Sequence, residues 1–271
     1  MVKRMSEKRL MLPSISILIT TYNWKEALAL VLQSVSQQSH LPKEVLIADD
    51  GSRDDTAKLI QHYQKTFPVP LIHCWQEDLG FRAAAVRNKA IAASTSDYIV
   101  MIDGDMVLHS NFIADHLHSA QPNQFIQGSR VITFPDRVKK MLNGNMSITF
   151  YSSGINNRTN TLNLPLLSRY FSHINNELQG TKTCNFSAWR NDLVAINGFN
   201  EDYVGWGRED SDLAARLFHS GKKRLKLKFM ANAYHLYHPE NARKSLQSND
   251  ERLAHCIESR QIRCDNGLDG H

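Results

Sequence analysis

Two carboxylates that could bind a metal ion lie one residue apart in the first half of the chain. Asp103 and Asp105 flank Gly104 directly after the apolar run at residues 98–102. Carboxylate oxygens at this spacing can share a hard divalent cation. Acidic residues at the end of a strand are also common turn formers, so this pair alone leaves a metal site and a turn equally open.

A second acidic pair, Asp49 and Asp50, follows the apolar residues 45–48. The structural alternative here is an Asx turn followed by a helix cap. Ligands of open parallel sheets bind at the carboxyl ends of strands. If both acidic pairs lie at such ends, one can hold a base or ribose and the other a metal-bound diphosphate.

A third acidic pair lies in the second half, where Glu209 and Asp210 open a predicted helix. Acids in the first turn complement the helix dipole by about 0.3–1 kcal/mol. That explains the acids but not Gly205, Trp206 and Gly207 just before them. Glycines allow a close backbone approach and the indole offers a flat surface for a sugar, while a core position for Trp206 also stays open.

Two arginines and two histidines are the remaining candidates. Arg82 and Arg87 share a predicted helix, and a guanidinium matches the geometry of diphosphate oxygens. They could instead be ordinary cations on a helix surface. His235 and His238 are three residues apart, and each could be a metal ligand or a hydrogen-bonded surface side chain.

The elements that must position these residues alternate between strands and helices in the first hundred residues. This alternation is typical of a parallel sheet covered by helices. The predicted strands are residues 14–21, 45–48, 71–74 and 98–102, and the predicted helices are residues 24–38, about 54–67, and 82–93.

The second half is less regular. Residues 136–183 are rich in Asn, Ser, Thr and Lys, which predicts a long irregular segment acting as a lid or binding loop. Regular secondary structure is expected again at residues 184–189, in the helix that ends near residue 218, and in a strand over residues 224–233. The chain from residue 241 is polar and charged.

The composition is that of a globular protein of one large or two small domains. The 271 residues are 42% hydrophobic and carry a formal net charge of +5, spread along the chain, which argues against a nucleic-acid partner. No apolar run approaches the roughly 18 residues of a membrane-spanning helix. The basic residues 1–13 lack an apolar signal-peptide core, so we expect a cytoplasmic protein. The four cysteines have no CxxC spacing and are expected to be idle or buried thiols.

These motifs, in this order, resemble those of family 2 glycosyltransferases of the GT-A fold. The resemblance rests on residues 17–23, 48–54 and 103–105. Residues 205–212 (GWGREDSD) are similar to the WGWGxEDxD element of β-1,4-galactosyltransferases and of the galactosaminyltransferase half of bacterial chondroitin polymerases. The resemblance as a whole extends from about residue 14 to residue 239.

The resemblance implies an α/β GT-A fold, with a Rossmann-like, mostly parallel central sheet flanked by helices and an acceptor-side subdomain. Residues 1–134 would bind the nucleotide, residues 135–240 would bind the acceptor and supply the base, and residues 241–271 would form a polar tail.

The resemblance also implies where a UDP-sugar donor binds. Thr21 and Asp50, with Asp49 nearby, would hold the uracil, because an aspartate that accepts from the imide N–H discriminates against cytosine. The full set of residues implied to hold the donor is Thr20, Thr21, Tyr22, Asn23, Asp49, Asp50, Arg82, Arg87, Asn88, Asp103 and Gly104.

The metal site implied by the resemblance contains Asp105 as a direct ligand, with Asp103 facing the ribose or the metal. His235 would complete the site, with His238 as the alternate. Carboxylate, imidazole and diphosphate ligands favour Mn²⁺, with Mg²⁺ as a weaker substitute.

In the resembling families the second acid of the ED pair is the catalytic base, which implies that role for Asp210. Glu209 would contact acceptor hydroxyls, and Trp206 and Gly207 would line the acceptor site. Arg208 stands where the galactosyltransferases have a small residue, a departure that could alter the contacts to the sugars.

The predicted reaction is an inverting, metal-dependent transfer of a hexose from a UDP-sugar to a hydroxyl of a bacterial surface glycan, such as lipooligosaccharide or capsule. Galactose or N-acetylgalactosamine is favoured, with glucose and N-acetylglucosamine next. The acceptor would be a glycan or lipid-linked oligosaccharide at the inner face of the cytoplasmic membrane, where the basic residues near the N-terminus could contact anionic lipid.

Two other functions compete with this prediction. A nucleotidyltransferase would need a Gly-rich, Arg-containing phosphate loop directly after the first strand, and residues 20–24 contain none. A non-catalytic scaffold or sugar-binding protein could keep the fold without the activity. Slow hydrolysis of a UDP-sugar with Mn²⁺ would separate a transferase from a scaffold.

Overall fold

The computed structural model describes residues 12–239 and 245–271. In the first part of the chain, four strands alternate with three helices, as predicted. They are β1 (Ile15–Thr21), α1 (Lys25–Ser36), β2 (Glu44–Asp49), α2 (Asp54–Gln64), β3 (Leu71–Trp75), α3 (Ala83–Ala93) and β4 (Tyr98–Asp103).

The second part contains shorter elements. They are β5 (Met106–Leu108), α4 (Phe112–Ser119), β6 (Gln124–Gln127), β7 (Arg130–Thr133), α5 (Pro135–Leu142), β8 (Ile155–Asn156), α6 (Pro165–Phe171), β9 (His173–Ile174), β10 (Asn185–Trp189), α7 (Arg190–Ala195), α8 (Glu209–His219), β11 (Lys223–Lys226), β12 (Ala233–His235) and α9 (Leu246–Glu258), with 3-10 turns at Arg158–Thr161 and Leu268–Gly270.

The central sheet has the strand order β3-β2-β1-β4-β10-β6-β11-β9. The first four strands are parallel, and β10 runs antiparallel between β4 and β6. The predicted α/β class with a mostly parallel sheet is therefore confirmed. The register pairs Thr21 with Asp49 and Thr20 with Asp103, so the polar ends of β1, β2 and β4 lie side by side.

The central strands are apolar on both faces because helices cover both. Ile17 and Val100 belong to one core cluster, together with residues of α1 and α4. Leu18 and Met101 belong to the other, together with residues of α3 and α8. Alternate residues of each strand therefore anchor opposite layers, which fixes the register and the positions of the strand ends.

A second sheet, with the order β5-β12-β7-β8, lies beyond the end of β4. Strand β12 is antiparallel to β5 and pairs His235 with Met106. This pairing brings residue 235 next to the chain that leaves Asp105.

Two predictions about the secondary structure of the second half were wrong in part. The segment 136–183 is not irregular throughout, because it contains α5, β8, α6 and β9, and Pro135 and Pro165 occupy first-turn positions where proline suits a helix. The predicted strand 224–233 is two strands, since Phe229 and Ala231 between them have positive φ.

The predicted polar tail is a packed part of the domain from residue 245 onward. Helix α9 contacts α8, and Cys256, Cys264 and Leu268 are buried. All four cysteines are free and buried, as expected. No helix within residues 12–239 and 245–271 is long and apolar enough to cross a membrane, and the basic residues near the N-terminus lie outside the described residues.

Candidate active site

The candidate site lies at the carboxyl ends of β1, β2 and β4. The Gly104 amide donates to the Thr20 carbonyl at 2.7 Å. A Cβ on Gly104 would lie 3.0 Å from Thr21 Oγ1 and 3.1 Å from the Thr20 carbonyl oxygen. The turn after β4 therefore packs tightly on the end of β1, which places Asp103 and Asp105 beside Thr20 and Thr21.

Asp49 and Asp50 have different hydrogen-bond partners and different roles. Asp49 is fully buried, accepts from the Ser52 amide at 2.8 Å and contacts His73 Nε2 at 2.9 Å, so it forms the turn that the sequence had left open. Asp50 accepts from Gln76 Nε2 at 2.5 Å and from the Arg82 amide at 2.8 Å. Burial raises the pKa of Asp50, and these two donors oppose the rise.

Tyr22 and Asn23 extend this end of the site. The Tyr22 hydroxyl donates to Asp78 Oδ2 at 2.9 Å, and Asn23 Oδ1 accepts from the Arg53 amide at 3.0 Å. Gly51 has a φ of +92°, and a Cβ there would lie 2.5 Å from Asp78 Cα, so the loop bearing Asp78 closes directly over the turn. Gln76 and Asp78 were not predicted, because they lie in a loop without a recognisable motif.

Arg87 connects the acidic motifs. This buried guanidinium donates from Nη2 to Asp103 at 3.2 Å, and from Nη1 to Glu209 and Asp210 at 3.4 Å each. Its Nε donates to Thr20 Oγ1 at 3.1 Å. Burial by itself lowers the pKa of Arg87, but the three carboxylates raise it above its ordinary value. Arg87 therefore holds three acids together, and its donors are engaged by protein groups.

The other two residues predicted on this helix lie differently. The Arg82 side chain donates to the Glu77 carbonyl at 2.6 Å, while its backbone amide serves Asp50. Asn88 is fully buried, and its amide group bonds the backbone of Phe199 and the Glu201 carboxylate at 2.8 Å. The placement of Asn88 corrects the prediction that it contacts the donor, because its side chain fastens α3 to the chain before α8.

Asp105, His235 and His238 form a group that could hold a metal ion, with one ligand atom of each within 4.8 Å of the others. Asp105 Oδ2 lies 3.4 Å from His235 Nε2 and 3.2 Å from His238 Nε2. Among the described residues no hydrogen-bond partner reaches Asp105 Oδ1 or His235 Nδ1, although both atoms are buried. Unpartnered oxygen and nitrogen donors fit a divalent cation such as Mn²⁺.

The two imidazoles differ in their proton affinity. The hydrogen bond to Asp105 raises the pKa of His238 to about 9, whereas burial lowers the pKa of His235. His235 is thus held as the neutral imidazole that a metal requires, and a cation would have to displace the proton of His238.

Glu209 and Asp210 begin α8 after a left-handed turn. Gly205, Gly207 and Arg208 all have positive φ, near +80° to +103°. Asp210 accepts from the Thr183 hydroxyl at 2.5 Å and from the Thr183 amide at 3.0 Å. Burial, with repulsion from Asp210, raises the pKa of Glu209 to about 7. The two neighbouring acids therefore have different surroundings.

With this geometry established, the family of the chain follows from comparison. The model of "Glycosyl transferase family 2" matches residues 16–180, which is more than half of the chain. The chain belongs to glycosyl transferase family 2. Members are glycosyltransferases, which transfer sugars from nucleotide donors. A second model, "N-terminal domain of galactosyltransferase", matches residues 166–239 and so includes the acidic pair of α8 and both histidines.

The curated relatives of this glycosyltransferase include polysaccharide synthases. It is 28% identical over 235 residues to the hyaluronan synthase of Pasteurella multocida, which covers 76% of this chain and 23% of that protein. It is 25% identical over 244 residues to the chondroitin synthase of Escherichia coli, covering 79% of this chain and 33% of that protein. The chain thus spans about a quarter to a third of the length of these relatives.

Among solved structures, TarS of S. aureus shares the fold of the glycosyltransferase. The TM-score is 0.59 at 16% sequence identity, and the match covers 95% of this chain and 41% of that one. Because the match covers 95% of the chain, the likeness includes parts of both halves.

Two basic residues of the glycosyltransferase that no sequence motif indicated, Arg130 and Lys182, affect the charges of the metal-binding group. Arg130 donates to Cys184 Sγ at 2.8 Å. Burial opposes its charge, but nearby Cys184, Asp103 and Asp105 raise the pKa of Arg130. The positive charge of Lys182 further lowers the pKa of His235. Arg130 lies in a short strand and Lys182 in a loop, and neither belongs to a motif that would have identified it.

The remaining predicted residues lie on the α8 side of the site. Trp206 is partly exposed, at 36%, and the Gly207 carbonyl accepts from Asn249 at 2.9 Å. Arg208 pairs with Asp250 of α9. The arginine that departs from the galactosyltransferase pattern therefore contacts α9.

Proposed function

We propose that this glycosyltransferase performs an inverting, metal-dependent transfer of a hexose from a UDP-sugar to a hydroxyl of a glycan. The observation that carries the proposal is the arrangement around Arg87. Its two terminal nitrogens face Asp103 on one side and the pair Glu209 and Asp210 on the other. A donor held at the end of β4 would therefore lie beside the acids of α8.

The nucleotide would bind across the ends of β1, β2 and β4, with Asp50 accepting from the uracil imide. Asp50 already accepts two hydrogen bonds, and a carboxylate has about four lone-pair sites, so capacity remains for the base. Tyr22 and Asp78 close this end of the site. Residues 1–134 would thus form the donor half and residues 135–240 the acceptor half.

Asp105, His235 and His238 would hold Mn²⁺, with Asp103 nearby. A bound divalent cation would neutralise charge on the diphosphate that leaves the sugar. The cations Arg130 and Lys182 would reinforce this effect, because both lie close enough to influence the charges of the metal-binding group. Mg²⁺ would serve as a weaker substitute.

Asp210 would take the proton of the acceptor hydroxyl as that oxygen attacks the anomeric carbon. The Thr183 amide and hydroxyl fix its carboxylate, and 23% of the Asp210 side chain remains exposed to a substrate. Glu209, with a pKa raised to about 7, would contact acceptor hydroxyls as donor or acceptor. Trp206 would supply a flat surface for the acceptor sugar.

Galactose or N-acetylgalactosamine is the favoured sugar, followed by glucose and N-acetylglucosamine. The support is the match of residues 166–239 to the galactosyltransferase model and the likeness to a chondroitin synthase. A bacterial surface glycan, free or lipid-linked, is the proposed acceptor. A panel of UDP-sugars with Mn²⁺, scored for UDP release and product linkage, identifies both substrates.

The base assignment is tested by comparing Asp210→Asn with Thr183→Val. Asp210→Asn should lower kcat by about 10²–10⁴-fold and leave UDP affinity nearly unchanged, because general base catalysis contributes that much. Thr183→Val keeps the base but removes one of its hydrogen bonds, so a smaller loss of about tenfold is expected. Near-full kcat in Asp210→Asn would refute the assignment.

The metal site is tested by calorimetry of UDP binding with and without Mn²⁺. Asp105→Ala should abolish the metal-dependent part of the UDP affinity, and His235→Ala should weaken it. Metal-dependent affinity that survives in Asp105→Ala would contradict the proposed ligand.

A further inference from the structure

A second surface of the molecule exposes large apolar side chains far from the acidic motifs. Helix α6 and strand β9 leave Leu166 77%, Tyr170 84% and Phe171 56% exposed. Ile174 of β9 is 44% exposed beside them. We call Leu166, Leu167, Tyr170, Phe171 and Ile174 the α6 face. Such a group of adjacent apolar residues on a surface marks an interaction site.

The α6 face is separate from the candidate active site. Strand β9 is the edge strand of the central sheet, and β10, β6 and β11 lie between it and β4. With strands about 4.8 Å apart, β9 is about 19 Å from β4. The α6 face therefore has no part in the reaction proposed above.

Cations surround the α6 face. Arg169 lies within the helix, and Lys226 of β11 pairs in register with His173 of β9. Lys228 Nζ lies 5.5 Å from the ring centroid of Phe229, whose ring meets that of Phe171 at 5.3 Å. Aromatic and aliphatic side chains are thus interleaved with positive charge.

Acidic side chains are nearly absent from the same region. Residues 137–176 and 213–239, which contribute α6, β9 and β11, contain no Asp or Glu. Two acids lie in neighbouring segments. Asp115 is buried and accepts from the Ala231 amide and Asn163, and Glu177, just beyond β9, is exposed. The α6 face and its surroundings are therefore positive.

A groove of about 950 Å³ runs between α6 and α4 along this surface. Leu225, Leu227 and Met230 contribute apolar side chains to its lining, and His118 and Arg169 contribute polar ones. The groove widens the apolar area beyond the exposed side chains of α6.

We propose that the α6 face binds the surface of an anionic lipid bilayer. Tyrosine, phenylalanine and leucine enter the region between headgroups and acyl chains, and neighbouring cations are attracted to anionic headgroups. Charge complementarity selects this occupant, because the apolar residues are flanked by Arg169, Lys226 and Lys228 and by no exposed carboxylate within residues 137–176 and 213–239. The orientation would place β9 and α6 against the membrane.

The test is co-sedimentation of the full chain with vesicles of phosphatidylcholine, with and without phosphatidylglycerol, in the absence of donor and metal. The chain should bind the phosphatidylglycerol vesicles much more tightly. Arg169→Glu/Lys226→Glu should weaken that binding by at least about tenfold, since each cation near the surface contributes about fivefold. Leu166→Ser/Tyr170→Ser should weaken it by about tenfold.

Matched controls separate this face from general effects of charge and hydrophobicity. Lys58→Glu/Lys65→Glu changes the charge equally on and just after α2, which packs on β3 at the opposite edge of the sheet. Ile257→Ser/Ile262→Ser removes two exposed apolar side chains on and beyond α9. Both controls should bind vesicles as the unmodified chain does.

Several results would overturn the proposal. They are equal binding to both kinds of vesicle, equal losses in variants and controls, and losses only when the basic residues 3–9 are replaced. A dimer that Leu166→Ser/Tyr170→Ser dissociates while vesicle binding is unchanged would show that the face binds a second copy instead. Because the assay uses neither donor nor metal, its outcome is independent of the proposed activity.

Discussion

The two ends of the candidate site hold their carboxylates in different ways. At the proposed donor end, Asp50 accepts from a backbone amide and a neutral glutamine. At the proposed catalytic end, Asp103, Glu209 and Asp210 all face the guanidinium of Arg87. The neutral donors around Asp50 hold its carboxylate in place, and this carboxylate can still accept a hydrogen bond from an uncharged base such as uracil. A shared cation stabilises the ionised form of each neighbouring carboxylate, which is the form that a general base needs.

The strongest test of this comparison is Arg87→Ala. It would leave three carboxylates close together without their buried cation, so we expect a loss of about 3–5 kcal/mol in the free energy of unfolding and the loss of activity. Urea denaturation measures the first and UDP release the second. Arg87→Lys keeps the charge but not the planar fork, and should be intermediate in both. Full stability in Arg87→Ala would show that the carboxylates do not depend on it.

A smaller effect is expected at the donor end from Asp50→Asn. Losing one hydrogen bond to a charged group should weaken UDP affinity by about 10–100-fold, with little change in kcat at saturating donor. The preference for UDP over CDP should also fall, because an amide can donate to cytosine as well as accept from uracil. Competition binding of UDP and CDP measures both. A kcat loss equal to that of Asp210→Asn would erase the distinction between the two ends.

The smallest effect is the pH dependence of stability at the catalytic end. The pKa of Glu209 is raised to about 7, so between about pH 4.5 and 7 the unfolded chain is ionised there while the folded chain holds the proton. Stability should therefore fall as pH rises through this range, by about 1 kcal/mol per pH unit. The pKa of Asp103, raised to about 6 by burial and by its acidic neighbours, acts in the same direction.

Glu209→Gln should therefore reduce this slope without abolishing it, as measured by urea denaturation at several pH values. Glu44→Gln is the control. Burial opposes ionisation of Glu44, but hydrogen bonds from Thr95 and Ser16 lower its pKa, so its contribution changes only below this range. An identical slope in Glu209→Gln would contradict the raised pKa.

Much of the donor end could be predicted from the sequence because its signals are local. Each strand of the first half is a short apolar run, and each acidic pair follows one directly. The alternation of strand and helix then places those pairs together. Even here, the choice between turn former and ligand for Asp49 depended on Ser52 and His73, which the sequence did not single out.

The catalytic end was less predictable because its contacts join distant parts of the chain. Thr183 donates to Asp210 although strand β10 and helix α7 lie between them in the chain. Arg130 belongs to a four-residue strand and is near enough to Asp103 and Asp105 for their charges to raise its pKa. Asn88 and Arg87 are neighbours on one helix, yet one packs inward and the other reaches the acids. Periodicity within a single helix could not distinguish them, because both are buried.

The pairing of β12 with β5 also has a consequence for how the protein matures. His235 and Met106 are register partners although 129 residues separate them along the chain. Contacts over such separations are slow to form, because closing the long intervening loop costs conformational entropy. During synthesis, a chain that has passed Asp105 but not His235 would hold only part of the metal-binding group. The proposed metal site would therefore be complete only once β12 has paired with β5.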